Sequence, residues 1–255
     1  MIPKLEVRGV SYSYHSLEGE TLALSDISFS VESGQFLAIV GPSGCGKSTL
    51  LSLLCGLIKP DQGQILLDGA PLSQDSGTVG YMLQKDHLFE WRTILSNVSL
   101  GLEIQKRLTP DTLNELKDML NTYGLGGFEH AKPSGLSGGM RQRAALIRTL
   151  ALKPDLLLLD EPFSALDYQT RLSVCDDISA ILRESGKTAV LVTHDLSEAI
   201  STADRILILS ARPGRVKAVL PIEFSGCSNR PLDRRNCPEF SAYFNQVWKE
   251  LKNDE

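Results

Sequence analysis

The sequence predicts an α/β fold built on a mostly parallel β-sheet. Short apolar runs at 36–40, 155–160 and 188–193 have the length typical of buried strands. Helical patterns separate these runs along the chain, and strands that alternate with helices favour parallel pairing. A glycine-rich segment, GPSGCGKST at 41–49, directly follows the first run. The fold therefore places this segment at the end of a buried strand.

Other strands are predicted from alternation and from turn residues. Two segments near the N-terminus alternate in the manner of strands, with the apolar residues Leu5, Val7 and Val10, then Ile27, Phe29 and Val31. Segments 62–68 and 77–83 are bounded by glycine and aspartate and predict further strands. Segment 205–210 predicts the strand that closes the set.

Helical periodicity accounts for most of the remaining chain. A helix is expected over 48–55, and helical character extends from about 94 to 123, where Thr109-Pro110 begins a regular stretch. Further helices are expected over 138–152 and 168–184. The tail predicts an amphipathic helix that packs on the core through one face: Phe240, Tyr243, Phe244, Val247, Trp248 and Leu251.

Composition and charge exclude several classes of protein. The 255 residues are 42% hydrophobic and 22% charged, as expected for a globular protein with a large core. The net charge of −5 gives no reason to expect nucleic acid as a partner. No apolar run reaches the roughly 18 residues that span a bilayer, and the N-terminus does not resemble a signal peptide. We expect a cytoplasmic protein that meets a membrane only through a partner.

The segment 41–49 matches the phosphate-binding pattern G-x-x-x-x-G-K-[ST]. Its glycines allow backbone N–H groups to converge on the phosphates of a nucleotide, at the positive end of the following helix. Lys47 is expected to reach the β- and γ-phosphates, and the Ser48 hydroxyl to bind Mg²⁺. The predicted phosphate-binding residues are Gly41, Pro42, Ser43, Gly44, Cys45, Gly46, Lys47, Ser48 and Thr49.

A second motif is the run Leu156–Asp160, which is followed by Glu161. Asp160 at the end of a buried strand can hold Mg²⁺ beside a phosphate loop. Glu161 would lie next to the γ-phosphate and polarise the attacking water. Alone the motif is weak, because many core strands end in an acid.

A third motif is LSGGM at 136–140. Ser137 is a helix-capping residue type, and Gly138 and Gly139 leave the first N–H groups of the next helix uncovered. The motif predicts an anion site, with an ordinary capped helix start as the alternative.

The five cysteines do not form a metal-binding or disulfide framework pattern. Cys227 and Cys237 flank a loop and could meet, but reduced thiols are expected in a cytosolic chain. Cys45 lies in the phosphate loop, so we expect bulky thiol reagents to inactivate the protein and ATP to protect it.

Together these motifs resemble the ATP-binding subunits of ABC transporters over nearly the whole chain. GPSGCGKST is followed by Gln84, then by LSGGMRQR, LLLLDEP, the Ser164–Asp167 segment and Thr193-His194-Asp195. The resemblance implies a P-loop NTPase (RecA-like) core with an antiparallel β subdomain and a helical subdomain. The ATPase domain would span 1–225, with the helical subdomain inserted at about 86–152. Residues 226–255 would form a C-terminal tail with the amphipathic helix.

The resemblance also implies roles for single residues. Tyr14 is similar to the aromatic residue that stacks on adenine, although a strand-edge tyrosine is the alternative. Gln84 resembles the residue that senses Mg²⁺ and the γ-phosphate, and His194 the switch histidine that contacts the γ-phosphate. Asp167 resembles the acid that interacts with the opposite subunit.

The family further implies a head-to-tail homodimer with two ATP molecules between the subunits. Ser137, Gly138 and Gly139 would complete the ATP site of the partner copy. An isolated subunit should therefore bind ATP but hydrolyse it poorly.

The segment 88–98, LFEWRTILSNV, resembles subunits that import nitrate, taurine, aliphatic sulfonates or thiamine-related pyrimidines. Those subunits commonly carry Leu-Pro where this chain has Phe89-Glu90. Trp91 would either anchor an integral membrane permease or pack inside the helical subdomain.

The leading prediction is the ATPase of an importer, held at the cytoplasmic face of the membrane by its permease and supplied indirectly by a solute-binding protein. The alternative is a soluble ABC ATPase acting on ribosomes or nucleic acid. Such proteins usually carry two cassettes, a coiled coil or a basic extension, and none is visible in this sequence.

Overall fold

The computed structural model describes residues 2–16, 19–72, 79–164 and 166–252. Within these ranges the strands are β1 (Leu5–Ser16), β2 (Gly19–Val31), β3 (Phe36–Val40), β4 (Gln62–Leu67), β5 (Ala70–Pro71), β6 (Val79–Met82), β7 (Leu156–Asp160), β8 (Thr188–Val192), β9 (Arg205–Leu209) and β10 (Val216–Pro221). The helices are α1 (Lys47–Leu54), α2 (Ile94–Val98), α3 (Leu100–Ile104), α4 (Pro110–Thr122), α5 (Gly138–Leu150), α6 (Tyr168–Glu184), α7 (Leu196–Thr202), α8 (Pro231–Arg235) and α9 (Glu239–Lys252), with a short 3₁₀ turn at Pro133–Gly135.

The described strands form two sheets. The larger has the order β10-β9-β3-β8-β7-β6 and is parallel except for β10, which pairs antiparallel with β9. The smaller is antiparallel, with the order β2-β1-β4-β5. The predicted α/β fold with a mostly parallel sheet and an antiparallel β portion is therefore confirmed.

The core follows from alternation along the buried strands, where successive side chains point to opposite faces of a sheet. Phe36, Ala38 and Val40 of β3 belong to one apolar cluster, which also contains residues of α5, α6 and α7. Leu37 and Ile39 belong to a second cluster, which contains residues of α1 and the antiparallel sheet. A third cluster lies within residues 88–152 and involves α2 to α5. The parallel sheet is therefore covered on both faces.

Most predicted elements are found, with differences at their ends. The helical region expected from 94 to 123 is three helices. Ser99 lies between α2 and α3, and the backbone leaves helical geometry between Ile104 and Pro110, where Lys106 has a φ of 56°. The strand expected over 77–83 is Val79–Met82 in the described part, while Gly77 and Thr78 lie outside the described residues. The segment 205–210 does not close the set, since β10 follows it at the sheet edge. Its half-buried residues VKAVLP give only a weak strand pattern.

The tail packs on the main core. Val247 is buried in that core, and four partly buried side chains of the tail pack against the same cluster: Phe240, Tyr243, Phe244 and Leu251. Trp248 departs from the predicted apolar face: it is 48% exposed and its ring lies beside that of Phe244 and near the Lys252 ammonium. None of the helices in the described ranges is long and apolar enough to cross a bilayer.

The expectation of reduced thiols is wrong for one cysteine pair. Cys227 and Cys237 form a disulfide, with their Cα atoms 6.5 Å apart. The intervening helix α8 turns the chain back, so that the buried Cys237 meets Cys227. Cys45, Cys55 and Cys175 are free.

Candidate functional site

The glycine-rich segment forms a loop between the carboxyl end of β3 and the first turn of α1. Gly46 is the N-cap of α1 with a φ of 102°, and no side chain caps the helix. A Cβ at Gly46 would lie 2.7 Å from Cδ2 of Leu24, so both conformation and space require glycine. A helix start that no side chain caps leaves backbone N–H groups for an anion such as a phosphate group.

Lys47 supplies positive charge to this loop. Its Nζ donates hydrogen bonds to the carbonyls of Gly41 and Pro42, at 2.8 and 2.9 Å. The neighbouring Cys45 is buried, and burial raises the pKa of its thiol. The ammonium group is therefore held over the loop, where a phosphate would meet it.

Tyr14 approaches the same loop from the antiparallel sheet. Its hydroxyl lies 3.0 Å from Oγ1 of Thr49, within hydrogen-bond distance. The ring meets Tyr12 edge to face and stays 45% exposed. Tyr14 thus presents an aromatic surface beside α1, at a place where a base could stack.

Asp160 ends β7 and is half-buried. It accepts a hydrogen bond from the Tyr81 hydroxyl at 3.1 Å. Burial raises the pKa of Asp160. The pKa of the Tyr81 hydroxyl is also raised, by burial and by the nearby Asp160 carboxylate. Mg²⁺ prefers oxygen ligands alongside nucleotide phosphates. Three residues offer such oxygens: Ser48 a hydroxyl, Asp160 a carboxylate and Gln84 an amide.

Mg²⁺ usually keeps several waters and needs only one or two carboxylates besides those phosphates. In the described ranges no three His, Cys, Asp or Glu side chains are grouped to hold a metal on their own. These residues therefore fit a metal that is held jointly with the nucleotide.

Glu161 joins two other predicted residues at the carboxyl edge of the parallel sheet. Its Oε2 accepts a hydrogen bond from Nε2 of Gln84 at 3.1 Å. The same oxygen lies 3.1 Å from Nδ1 of His194. Gln84 follows β6, Glu161 follows β7 and His194 follows β8, so adjacent strands bring the three together. The cluster combines a carboxylate with an amide and an imidazole, which suits the orientation of a water or a phosphate oxygen.

The backbone at Glu161 is strained. Its φ is 44°, in the left-handed region that a residue with a side chain rarely adopts. Its N–H donates to the Val192 carbonyl at 2.8 Å, and its own carbonyl accepts from the Ser164 hydroxyl at 3.0 Å. Such strain, held by surrounding hydrogen bonds, is concentrated at functional sites.

The residues of the LSGGM motif and Asp167 form a separate group. Ser137 caps α5 through Met140 N–H at 3.4 Å, and Asp167 caps α6 through Thr170 N–H at 3.1 Å. Within the described residues, no hydrogen bond joins Ser137 or Asp167 to 41–49. This group therefore lies outside the hydrogen-bonded phosphate loop of its own chain.

Space for a side chain is limited at the two glycines of this group. A Cβ at Gly139 would lie 2.9 Å from Cγ2 of Thr170, so α5 and α6 approach closely there. At Gly138 the corresponding distance, to Cδ2 of Leu166, is 3.1 Å.

Sequence reasoning missed the residues that hold the segment after Gln84. Arg141 forms two hydrogen bonds with Asp86 at 2.9 and 3.1 Å, and Arg148 donates to the Asp86 carbonyl at 2.6 Å. The arginines spaced along the predicted helix 138–152 were the available signal. Helix α5 is thus fastened to the segment that leaves the site.

Trp91 lies in that segment and does not pack inside the helical region. It is 73% exposed and stacks on Phe89 with ring centroids 4.7 Å apart. The exposed Trp91 ring, supported by the half-buried Phe89, is available to a partner.

Comparison with known proteins identifies relatives of this chain. The model of the family described as "ABC transporter" matches residues 24–164. The chain is 47% identical over 249 residues to the uncharacterized ABC transporter ATP-binding protein YtlC of Bacillus subtilis, covering 98% of this chain and 96% of the relative. It is 46% identical over 208 residues to the taurine import ATP-binding protein TauB of Yersinia pestis, covering 79% of each.

Among solved structures, the dimeric, post-hydrolysis ATP-binding cassette MJ0796 bound to ADP and Pi is similar to this chain. The TM-score is 0.74 and the identity 30%, covering 87% of this chain and all of MJ0796.

Proposed function

This chain belongs to the ABC transporter family of ATP-binding proteins, whose ATP hydrolysis is coupled to transport, and from that membership we propose that it energises an importer of a small solute. The chain would act as a homodimer that holds two ATP molecules and is attached to a permease at the cytoplasmic face of the membrane. A solute-binding protein would deliver the solute to that permease.

The contact of Gln84 and His194 with the Glu161 carboxylate is the observation that carries the proposal. Glu161 would orient and polarise the water that attacks the γ-phosphate. Gln84 would report whether Mg²⁺ and the γ-phosphate are present, and His194 would contact that phosphate. Ser48, Asp160 and Gln84 would hold Mg²⁺, which supplies charge neutralisation to the phosphates when it is bound.

Among the described residues no hydrogen bond joins Ser137 to the phosphate loop of its own chain, and this supports the homodimer. Ser137, Gly138 and Gly139 would complete the site on the partner copy, and Asp167 would contact the opposite subunit. The dimeric form of MJ0796 bound to ADP and Pi is consistent with this arrangement. Tyr14 would stack on adenine from the side of the antiparallel sheet.

The exposed ring of Trp91 supports a permease as partner, because an aromatic side chain can anchor a helix in a shallow groove. The likeness to TauB favours import of taurine or of a chemically related solute, such as a sulfonate, nitrate or a pyrimidine. The net charge of −5 gives no support to the alternative of a soluble ATPase acting on nucleic acid.

The test is to express the tagged chain in the organism that naturally produces it and to extract the membranes with detergent. We expect a multi-span membrane protein to co-purify and the assembly to take up taurine-like solutes in proteoliposomes only with ATP inside. Trp91→Ala should weaken co-purification while ATP binding stays unchanged. Recovery of ribosomes instead of a membrane protein would contradict the importer role.

A further inference from the structure

A buried carboxylate lies directly behind the segment that carries His194. Glu198 in α7 is 3% exposed, and its Oε2 accepts a hydrogen bond of 2.5 Å from Oγ1 of Thr193. Its other carboxylate oxygen, Oε1, is buried and has no hydrogen-bond partner among the described residues. Among the described residues the carboxylate therefore accepts one hydrogen bond, and its donor is the residue before His194.

The Thr193 hydroxyl also fixes the residue after His194. Oγ1 accepts a hydrogen bond from the Asp195 N–H at 3.0 Å, so it bridges the backbone across the histidine. Asp195 in turn caps α7, accepting from the N–H groups of Ser197 and Glu198 at 2.8 and 3.2 Å. Both chain neighbours of His194 are thus anchored to the start of one helix.

The His194 side chain itself has little packing to hold it. It is 61% exposed, and its Nδ1 lies 3.1 Å from Oε2 of Glu161. An exposed imidazole keeps its direction only if its backbone is fixed. The hydrogen bond from Thr193 to Glu198 supplies that constraint from the buried side.

We propose that Glu198 is a positioning residue for ATP hydrolysis, acting through Thr193 to aim His194 at the γ-phosphate. This inference rests on the proposed function, because it takes His194 to contact that phosphate. Glu198 does not need to touch the nucleotide.

The chemistry around Glu198 favours a specific role over simple packing. Burying a carboxylate is unfavourable, and an apolar side chain of similar size would fill the space without that penalty. The charged and titratable groups that face it are Asp195, Arg171 and Arg235, with the thiol of Cys175 on α6. Burial raises the pKa of Glu198 to about 7 despite the Thr193 hydrogen bond and both arginines.

The test compares variants that keep or remove the hydrogen bond. At position 198, Glu198→Gln keeps a hydrogen-bond acceptor and Glu198→Leu removes it. At position 193, Thr193→Ser keeps the donating hydroxyl and Thr193→Val removes it. Thr202→Val is the matched control, because it also deletes a buried threonine hydroxyl. The Thr202 hydroxyl lies in α7 and donates at 2.8 Å to the backbone carbonyl of Glu198, away from His194. His194→Ala tests the proposed role of the histidine separately.

We expect Glu198→Leu and Thr193→Val each to lower kcat about tenfold at unchanged ATP affinity, the effect of losing one orienting hydrogen bond. The double variant should be no worse than either single one, because both remove the same contact. Glu198→Gln, Thr193→Ser and Thr202→Val should keep at least about half of the wild-type kcat, although Thr202→Val lowers the melting temperature.

Three results would overturn the inference: a normal kcat in Glu198→Leu or Thr193→Val, an equal loss of kcat and ATP affinity, or the same kcat loss in Thr202→Val. If Glu198→Leu does not fold, the Thr193 pair decides alone. Loss of turnover in His194→Ala with normal turnover in Thr193→Val would refute the inference and leave the proposed function intact. Normal turnover in His194→Ala would refute the assigned role of the histidine itself.

Discussion

Nδ1 of His194 lies 3.1 Å from Oε2 of Glu161, although the two residues follow different strands of the parallel sheet. Because β7 and β8 are adjacent and parallel, their carboxyl ends bring the side chains to one edge. Gln84 reaches the same oxygen from the end of β6. We interpret this shared carboxylate as the centre of the hydrolytic site.

Lys47→Ala should lower ATP affinity at least tenfold. The substitution removes the ammonium group that the Gly41 and Pro42 carbonyls hold over the phosphate loop. Titration calorimetry with ATP measures the effect. Lys153→Ala is the control, since Lys153 forms a surface ion pair with Glu115, and equal affinity in the two variants would contradict the assigned role.

Ser137→Ala should lower turnover strongly and leave ATP binding by the isolated monomer nearly unchanged. The substitution removes a group that we assign to the partner's site, together with the cap of α5, whose loss costs about 1 kcal/mol of stability. Thr109→Ala removes the cap of α4 in the same way and controls for that loss. Equal losses of binding and turnover in Ser137→Ala would argue against the shared site.

Glu198→Gln should change how stability depends on pH. Burial raises the pKa of Glu198 from 4.5 to about 7, so between these values the folded chain holds a proton that the unfolded chain has released. Stability from this group is full below about pH 4.5, falls as pH rises toward 7 and is lost above it.

The variant lacks this titration. Its free energy of unfolding relative to wild type should therefore be higher at pH 8 than at pH 5 by roughly 2 to 3 kcal/mol. Urea unfolding at both pH values measures the difference, with the exposed Glu115→Gln as control. A difference that is the same at pH 5 and pH 8 would contradict the raised pKa.

Thiol reagents should inactivate the protein slowly, and ATP should slow them further. Cys45 lies in the phosphate loop, but it is buried and burial raises the pKa of its thiol, so little reactive thiolate is present. Labelling is followed by mass spectrometry beside ATP binding, with Cys45→Ser as the control. Undiminished ATP binding after complete labelling of Cys45 would refute the expectation.

The sequence predicts the fold well where a pattern is long and physically constrained. The runs at 36–40 and 188–193 have the length and apolar composition of buried strands. The glycines of 41–49 fit a phosphate loop, in which Gly46 has a positive φ. The edge strand Val216–Pro221 is half-buried along most of its length and shows no alternation of buried and exposed residues, so its pattern is weak. The disulfide between Cys227 and Cys237 depends on how α8 folds back, which spacing alone does not determine.

The candidate site could be predicted residue by residue, but its contacts could not. Gln84 and His194 are separated from Glu161 by 77 and 33 positions respectively, and only the strand order brings them together. Glu198 carries no signal in the sequence, because a glutamate at a helix start is ordinarily exposed. Its burial becomes visible only when α7 is packed against α6 and α8.

The most direct measurement is the sedimentation of Glu161→Gln with ATP and Mg²⁺. The substitution removes the carboxylate to which we assign the orientation of water, and it keeps the side-chain size and a hydrogen-bonding oxygen for Gln84. It should therefore block hydrolysis without preventing ATP binding. We predict a stable dimer containing two ATP molecules, and monomer when ADP replaces ATP or when Ser137→Ala is added. A Glu161→Gln chain that binds ATP with wild-type affinity yet remains a monomer would contradict both the role of Glu161 and the shared ATP site.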